Sequence, residues 1–139
     1  MLQCKKGDFM GLHFYVGGTT GAQNGTLLSD GDMTNPLIFD GMYPAAGVTV
    51  SKSRSIHIRA DTGETWHWVQ VQVRGAYSAN YGLTSNVGAN DGYHSSIGCL
   101  LLATVTDVNQ PITVSGSCSG SDTNSPDVTS KLVAWGWKV

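Results

Sequence analysis

The sequence predicts an all-β fold, an antiparallel β-sandwich of jelly-roll-like kind with about eight strands joined by long loops. Three observations carry this expectation. Only 13% of the 139 residues are charged and Glu64 is the single glutamate, so the straight-chain residues that favour helices are scarce. Eighteen glycines stand among abundant Ser, Thr and Asn, which are turn formers. Between those turns, apolar and polar residues alternate with the period of two of a half-buried strand. A chain of this length holds one core, so residues 1–139 read as a single domain. Lys5-Lys6-Gly7, closing residues 1–7, suits a junction with an upstream stalk.

Phe9 to Val16 reads as the first strand, closed by Gly17-Gly18. Residues 17–35 are mostly turn formers with Leu27 and Leu28 as aliphatic anchors, and read as a long surface excursion. Pro36 to Phe39 looks like a short strand ended by Asp40-Gly41, and Val48 to Val50 and Ser55 to Ala60 follow as two more. Asp61-Thr62-Gly63-Glu64 turns the chain into a strand ending at Arg74. Ala76 to Ser96 reads as a second loop with tyrosines in it, and Ile97 to Val108 as a core strand in mid-sheet. Asp107 to Pro111 turns into Ile112 to Ser115, and Gly116 to Pro126 is a third polar loop. Lys131 to Val139 closes the chain as a strand tied into the sheet.

The strand Thr65 to Arg74 is the most informative segment. Simple alternation puts His67, Val69, Val71 and Val73 on one face and Trp66, Trp68, Gln70, Gln72 and Arg74 on the other. The valine row is a core face. The second row combines aromatic and long hydrogen-bonding side chains, which suits burial against a partner or ligand. Trp135 and Trp137, sharing one face of the closing strand with Val133 and Val139, form the second candidate face. Tyr77, Tyr81 and Tyr93, set among Ser, Gly and Asn, have the composition of an adaptable recognition loop.

Charge and motifs narrow the function classes. A net charge of -2 gives no long-range attraction for nucleic acid or anionic membrane. No run approaches the roughly 18 apolar residues of a membrane helix, and Met1 to Gly11 lacks a secretory apolar stretch, so a soluble domain is expected. Cys4, Cys99 and Cys118 lack CxxC spacing, which disfavours a disulfide framework or a zinc site. Cys99 reads as a small buried side chain. His13, His57, His67 and His94 lack metal-binding spacing, and His13 and His57 read as hydrogen-bonded structural residues. Asp30-Gly31-Asp32 and Asn90-Asp91-Gly92 read as turns rather than calcium loops. Asp61 and Glu64 read as solvated acids of a turn rather than a glycosidase pair. No GxSxG elbow or P-loop appears, and no enzyme is expected.

In size, low charge and Gly, Ser, Thr and Asn content, the chain resembles the trimeric head domains at the tips of phage tail fibres and tail needles. Its closing strand Lys131 to Val139 is similar to the central last strand of tumour necrosis factor-like jelly rolls, which lies near the three-fold axis. The resemblance covers nearly the whole chain. It implies a homotrimeric, non-enzymatic knob in the virion that contacts a host envelope component or glycan. Three copies of Arg74 near an axis would repel unless each met an Asp of a neighbour or a small bound anion. No other cofactor is implied. The rival reading is a monomeric carbohydrate-binding module that stacks sugars on Trp66 and Trp68 or on the loop tyrosines. A hydrolase would need a second carboxylate facing Glu64.

Overall fold

The computed structural model describes residues 11–29, 31–36, 47–85, 90–95, 98–119 and 129–139. Among the described residues ten strands follow one another: β1 (Leu12–Val16), β2 (Thr26–Ser29), β3 (Asp32–Pro36), β4 (Thr49–Ala60) and β5 (Trp66–Arg74), then β6 (Tyr81–Thr84), β7 (Gly92–His94), β8 (Cys99–Val105), β9 (Gln110–Ser119) and β10 (Lys131–Lys138). They form two antiparallel five-stranded sheets, ordered β2-β1-β4-β9-β6 and β3-β10-β5-β8-β7. The β-sandwich expected from the sequence is the architecture found.

Its connectivity is that of a rolled hairpin. β3 pairs with β10, β4 with β9 and β5 with β8, so the pairs nest around the middle of the chain. β10 also pairs with β5, and β9 with β6, which folds the long ribbon into two layers in the jelly-roll manner. The innermost strands part company, β6 lying in one sheet and β7 in the other. The β1-β2 hairpin extends the first sheet through β4. β10 is flanked by β3 and β5, so the closing strand is an interior strand, second from the edge, and β5 is the central one.

The core lies between the layers. Leu12, Phe14, Ile56, Ile58, Ile112 and Val114 meet Trp66, Val69, Val71, Leu100, Leu102 and Leu132, all at most 1% exposed. Burying a large aliphatic side chain contributes about 1.5–3 kcal/mol, and these dozen residues are the main reason the two sheets stay together.

Several element boundaries differ from expectation. The presumed excursion of residues 17–35 contains β2 and the start of β3, whose ladder bonds to β1 and β10 compensate for sparse apolar content. The two short strands expected over residues 48–60 are one twelve-residue strand. Its polar stretch Ser51–Ser55 is held by pairing with Ser117 to Thr113. β9 continues to Ser119 and includes Pro111, which pairs with His57. The tyrosine loop holds a 3-10 turn, Ser78–Asn80, with β6 and β7. The strand expected over Pro36 to Phe39 lies, beyond Pro36, outside the described residues, as do Lys5 to Gly7, Cys4, Asp30 and most of the third polar loop.

Candidate functional site

The face that the Trp66–Arg74 strand turns away from the core is built by a β-bulge. From Lys131↔Arg74 to Trp135↔Gln70 the β5-β10 register is regular, but it resumes as Trp137↔His67. Two residues of β5, Trp68 and Val69, therefore oppose Gly136 alone. Trp68 sits at φ 51°, the single positive φ of a non-glycine residue among the described residues. That conformation costs an L-residue roughly 1–2 kcal/mol. A Cβ at Gly136 would stand 3.0 Å from Val69 Cγ2 and 3.1 Å from the His67 carbonyl oxygen, so the partner strand must be bare there. Across β8, Ala103 faces Trp68 where the ladder is interrupted. Its N–H donates instead to Asp91 Oδ1 at 2.8 Å.

The bulge inverts the alternation upstream of it, and this corrects the expected position of Trp66. Trp66 is 1% exposed and lies in the core beside Val69 and Val71. His67 has moved to the outer side, its Nδ1 3.2 Å from Thr104 Oγ1. Trp66 therefore belongs to neither an interface nor a sugar platform. Its indole Nε1–H donates to Glu64 Oε2 at 3.0 Å, and Lys138 Nζ pairs with the other carboxylate oxygen. Glu64 is thus not a solvated turn acid, being 18% exposed in its side chain. Asp61 does belong to the turn, accepting the Glu64 N–H through its carbonyl and pairing by its side chain with His13 at 2.7 Å.

Hydrogen bonds from Lys138 and then from Trp66 hold the Glu64 carboxyl below the ordinary glutamate value. A group with a depressed folded pKa stabilises the fold above its unfolded pKa, about 4.3 for glutamate, and the contribution fades as pH falls through the lower folded value. Glu64→Gln is therefore expected to flatten the acid limb of the stability curve below about pH 4.3. Urea unfolding at a series of pH values checks this, and an unchanged acid limb would refute the assignment.

The remaining predicted residues fall into two groups at opposite ends of β5. At the bulge, Trp68 is 49% exposed and Trp137, on the neighbouring strand, 42%. Four to six residues further on, roughly 13–20 Å along the strand, Gln72 Nε2 donates to the Gly98 carbonyl at 3.2 Å. Gln72 Oε1 accepts Arg74 Nε–H at 3.0 Å. The Arg74 guanidinium carbon stands 5.2 Å from the Trp135 ring centroid, a cation–π contact. Between the two groups, Gln70 Oε1 accepts the Cys99 thiol at 3.7 Å. Cys99 is fully buried, as expected, and burial pushes its thiol up.

Arg74 borders a shallow groove of about 370 Å³ lined also by Gln72, Gly75, Ser78, Tyr93 and Gly98. The three loop tyrosines do not act together. Tyr93 joins this groove and is 54% exposed, Tyr77 precedes the 3-10 turn and is 38% exposed, and Tyr81 packs against the core from the other sheet. The convergence of Arg74 with Tyr93 was not legible beforehand, because it depends on β7 pairing with β8 and β8 with β5.

Outside this face, a second polar cluster proves structural. His57 Nδ1 bonds the Gly17 carbonyl at 3.0 Å, and Arg59 Nη1 donates to the Asn24 carbonyl and to Asn109 Oδ1. Asp91 spends both oxygens inside the fold, on Ala103 N–H and Gln110 Nε2. Among the described residues no group of three or more His, Cys, Asp or Glu side chains converges to hold a metal ion. No helix among them is long and apolar enough to cross a membrane. Comparison with protein-family models, with curated proteins and with solved structures finds no match for this chain.

Proposed function

We propose that the chain is a non-enzymatic assembly and adhesion domain, a homotrimeric knob whose subunits meet at the Trp68 and Trp137 end of the outer face of the β3-β10-β5-β8-β7 sheet. The setting proposed for it is the tip of a phage tail needle or fibre, where the knob contacts a host envelope component. The observation that carries the assembly reading is Trp68. A large aromatic residue is held at φ 51° and left half exposed beside a second exposed tryptophan. Strain of this kind persists where the surroundings enforce it and is a pointer to function. Exposed tryptophans are energetic anchors of protein interfaces, and each buries on the order of 150–250 Å². The face also contains β10, the strand that the head-domain resemblance puts near the three-fold axis. Glu64 and Asp61 are engaged by Lys138, Trp66 and His13, which supports the non-enzymatic reading.

Light scattering is expected to return three times the 14.7 kDa of one chain. Trp137→Glu would put a carboxylate into the interface and is expected to give monomers. Trp68→Gly removes both the ring and the left-handed strain, so it should weaken the trimer while raising the melting temperature of the fold, by about 1 kcal/mol in stability. A wild-type monomer would sink the assembly reading. The exposed pair Trp68 and Trp137 equally favours a second reading, a monomeric module stacking neutral sugar rings. A monomer that loses glycan-array binding on Trp68→Ala would establish that one instead.

A further inference from the structure

Among the described residues, the groove at the far end of β5 has positive charge beside it and no carboxylate paired with it. Arg74 and Lys131 are directly paired across β5 and β10, and like charges so placed repel at close range. Neither has a carboxylate partner among the described residues. The Arg74 fork is nevertheless fixed, by Gln72 at Nε and by Trp135 beneath its plane. Its terminal nitrogens have no acceptor among the described residues. A planar guanidinium held in this way is preorganised for a carboxylate taken by two parallel N–H bonds.

The rest of the groove says what the carboxylate is attached to. The Tyr93 hydroxyl and the Ser78 hydroxyl have no hydrogen-bond partner among the described residues, and the Tyr93 ring stands half exposed at the rim. Gly75 and Gly98 also line the groove. An aromatic face, two free hydroxyls and a volume near the lower end of small-ligand sites fit a sugar ring. We propose that this groove binds a carboxylate-bearing saccharide, such as a uronic acid residue, with the carboxylate on Arg74, the ring against Tyr93 and a hydroxyl on Ser78. Lys131 adds long-range attraction. The site does not depend on the trimer, since every lining residue belongs to one chain.

Titration of the full isotope-labelled chain with methyl glucuronide, followed by NMR, tests this, with methyl glucoside and acetate as controls. Glucuronide is expected to shift the Arg74 Nε–H, the Gln72 side-chain amide and the Gly98 amide. Glucoside, which lacks the charge-assisted carboxylate contact, and acetate, which lacks the ring that meets Tyr93 and Ser78, are each expected to bind at least about tenfold more weakly. Arg74→Gln should abolish the preference for glucuronide over glucoside. Tyr93→Ala should weaken glucuronide but leave acetate unchanged. Equal binding of glucoside, acetate binding as tightly as glucuronide, shifts centred on Trp68 and Trp137, or no shift at all would each overturn the proposal. The molar mass of the same samples, measured in parallel, reports on the trimer separately, and Arg74→Gln is expected to leave it unchanged.

Discussion

Trp66→Ala is expected to destabilise the fold by about 3–5 kcal/mol, the range for removing a fully buried large aromatic side chain. Domains of this kind are stable by only about 5–15 kcal/mol, so the variant should unfold at far lower denaturant concentration. The reason is local as well as volumetric. The indole fills the end of the core between Val69 and Val105 on its own sheet and packs against Gly11, where an added Cβ would lie 3.0 Å from Trp66 Cζ2. Its Nε1–H is also one of the two donors that hold Glu64. Trp66→Phe separates the contributions, since it keeps much of the buried ring and drops the donor. Its loss should be smaller, about 2–3 kcal/mol, the cost of a hydrogen bond to a charged acceptor plus a small void. Urea unfolding of the three proteins checks the ordering. A Trp66→Ala loss under about 1 kcal/mol would mean that the residue lies on the outer face, as plain alternation places it.

That misplacement shows where sequence reading stops. The period of two is legible in Val69 to Val73 and in Lys131 to Trp135, because these segments pair in regular register and turn Val69, Val71, Leu132 and Ala134 to the core. A single bulge at Trp68 shifts everything upstream by one residue, and nothing local announces it. Bulges with a left-handed residue usually carry Gly there, whereas here the Gly sits on the partner strand, at 136. The polar strands escaped for a different reason. Thr26–Ser29 and Ser51–Ser55 are held by ladder bonds to β1 and β9 rather than by burial, so they carry little hydrophobic signal. The outer-face residues Trp68, Gln70, Gln72, Arg74, Trp135 and Trp137 were legible as candidates from composition. Their division into a tryptophan pair and an arginine groove needed the register.

The same limit applies to Asn109, which reads as an ordinary turn residue and is instead 2% exposed. Asn109→Ala is expected to cost about 2–4 kcal/mol, because several buried groups lose partners at once. Its Nδ2 donates to the carbonyls of Thr19 and Asn24 at 3.0 Å each and reaches Asn24 Oδ1 at 3.3 Å. Its Oδ1 accepts Arg59 Nη1 at 2.7 Å, and Arg59 in turn lies 3.5 Å above the Tyr15 ring. The Asn109 backbone exchanges bonds with Gly21 and Ala22. One side chain thereby welds the loop of residues 17–25 to β4 and β9. Asn109→Asp is the sharper variant. It keeps the size and the acceptor for Arg59, but turns the donating nitrogen into an oxygen facing three other oxygens. If the donor matters, Asp should be no better than Ala despite its near-identical shape. Hydrogen exchange supplies the local readout: the Gly21 amide, bonded to the Asn109 carbonyl, should lose protection more than the amides of Val71 and Leu100 in the core. Equal protection in all three proteins, with a stability loss below about 0.5 kcal/mol, would mean that the backbone bonds alone hold the loop.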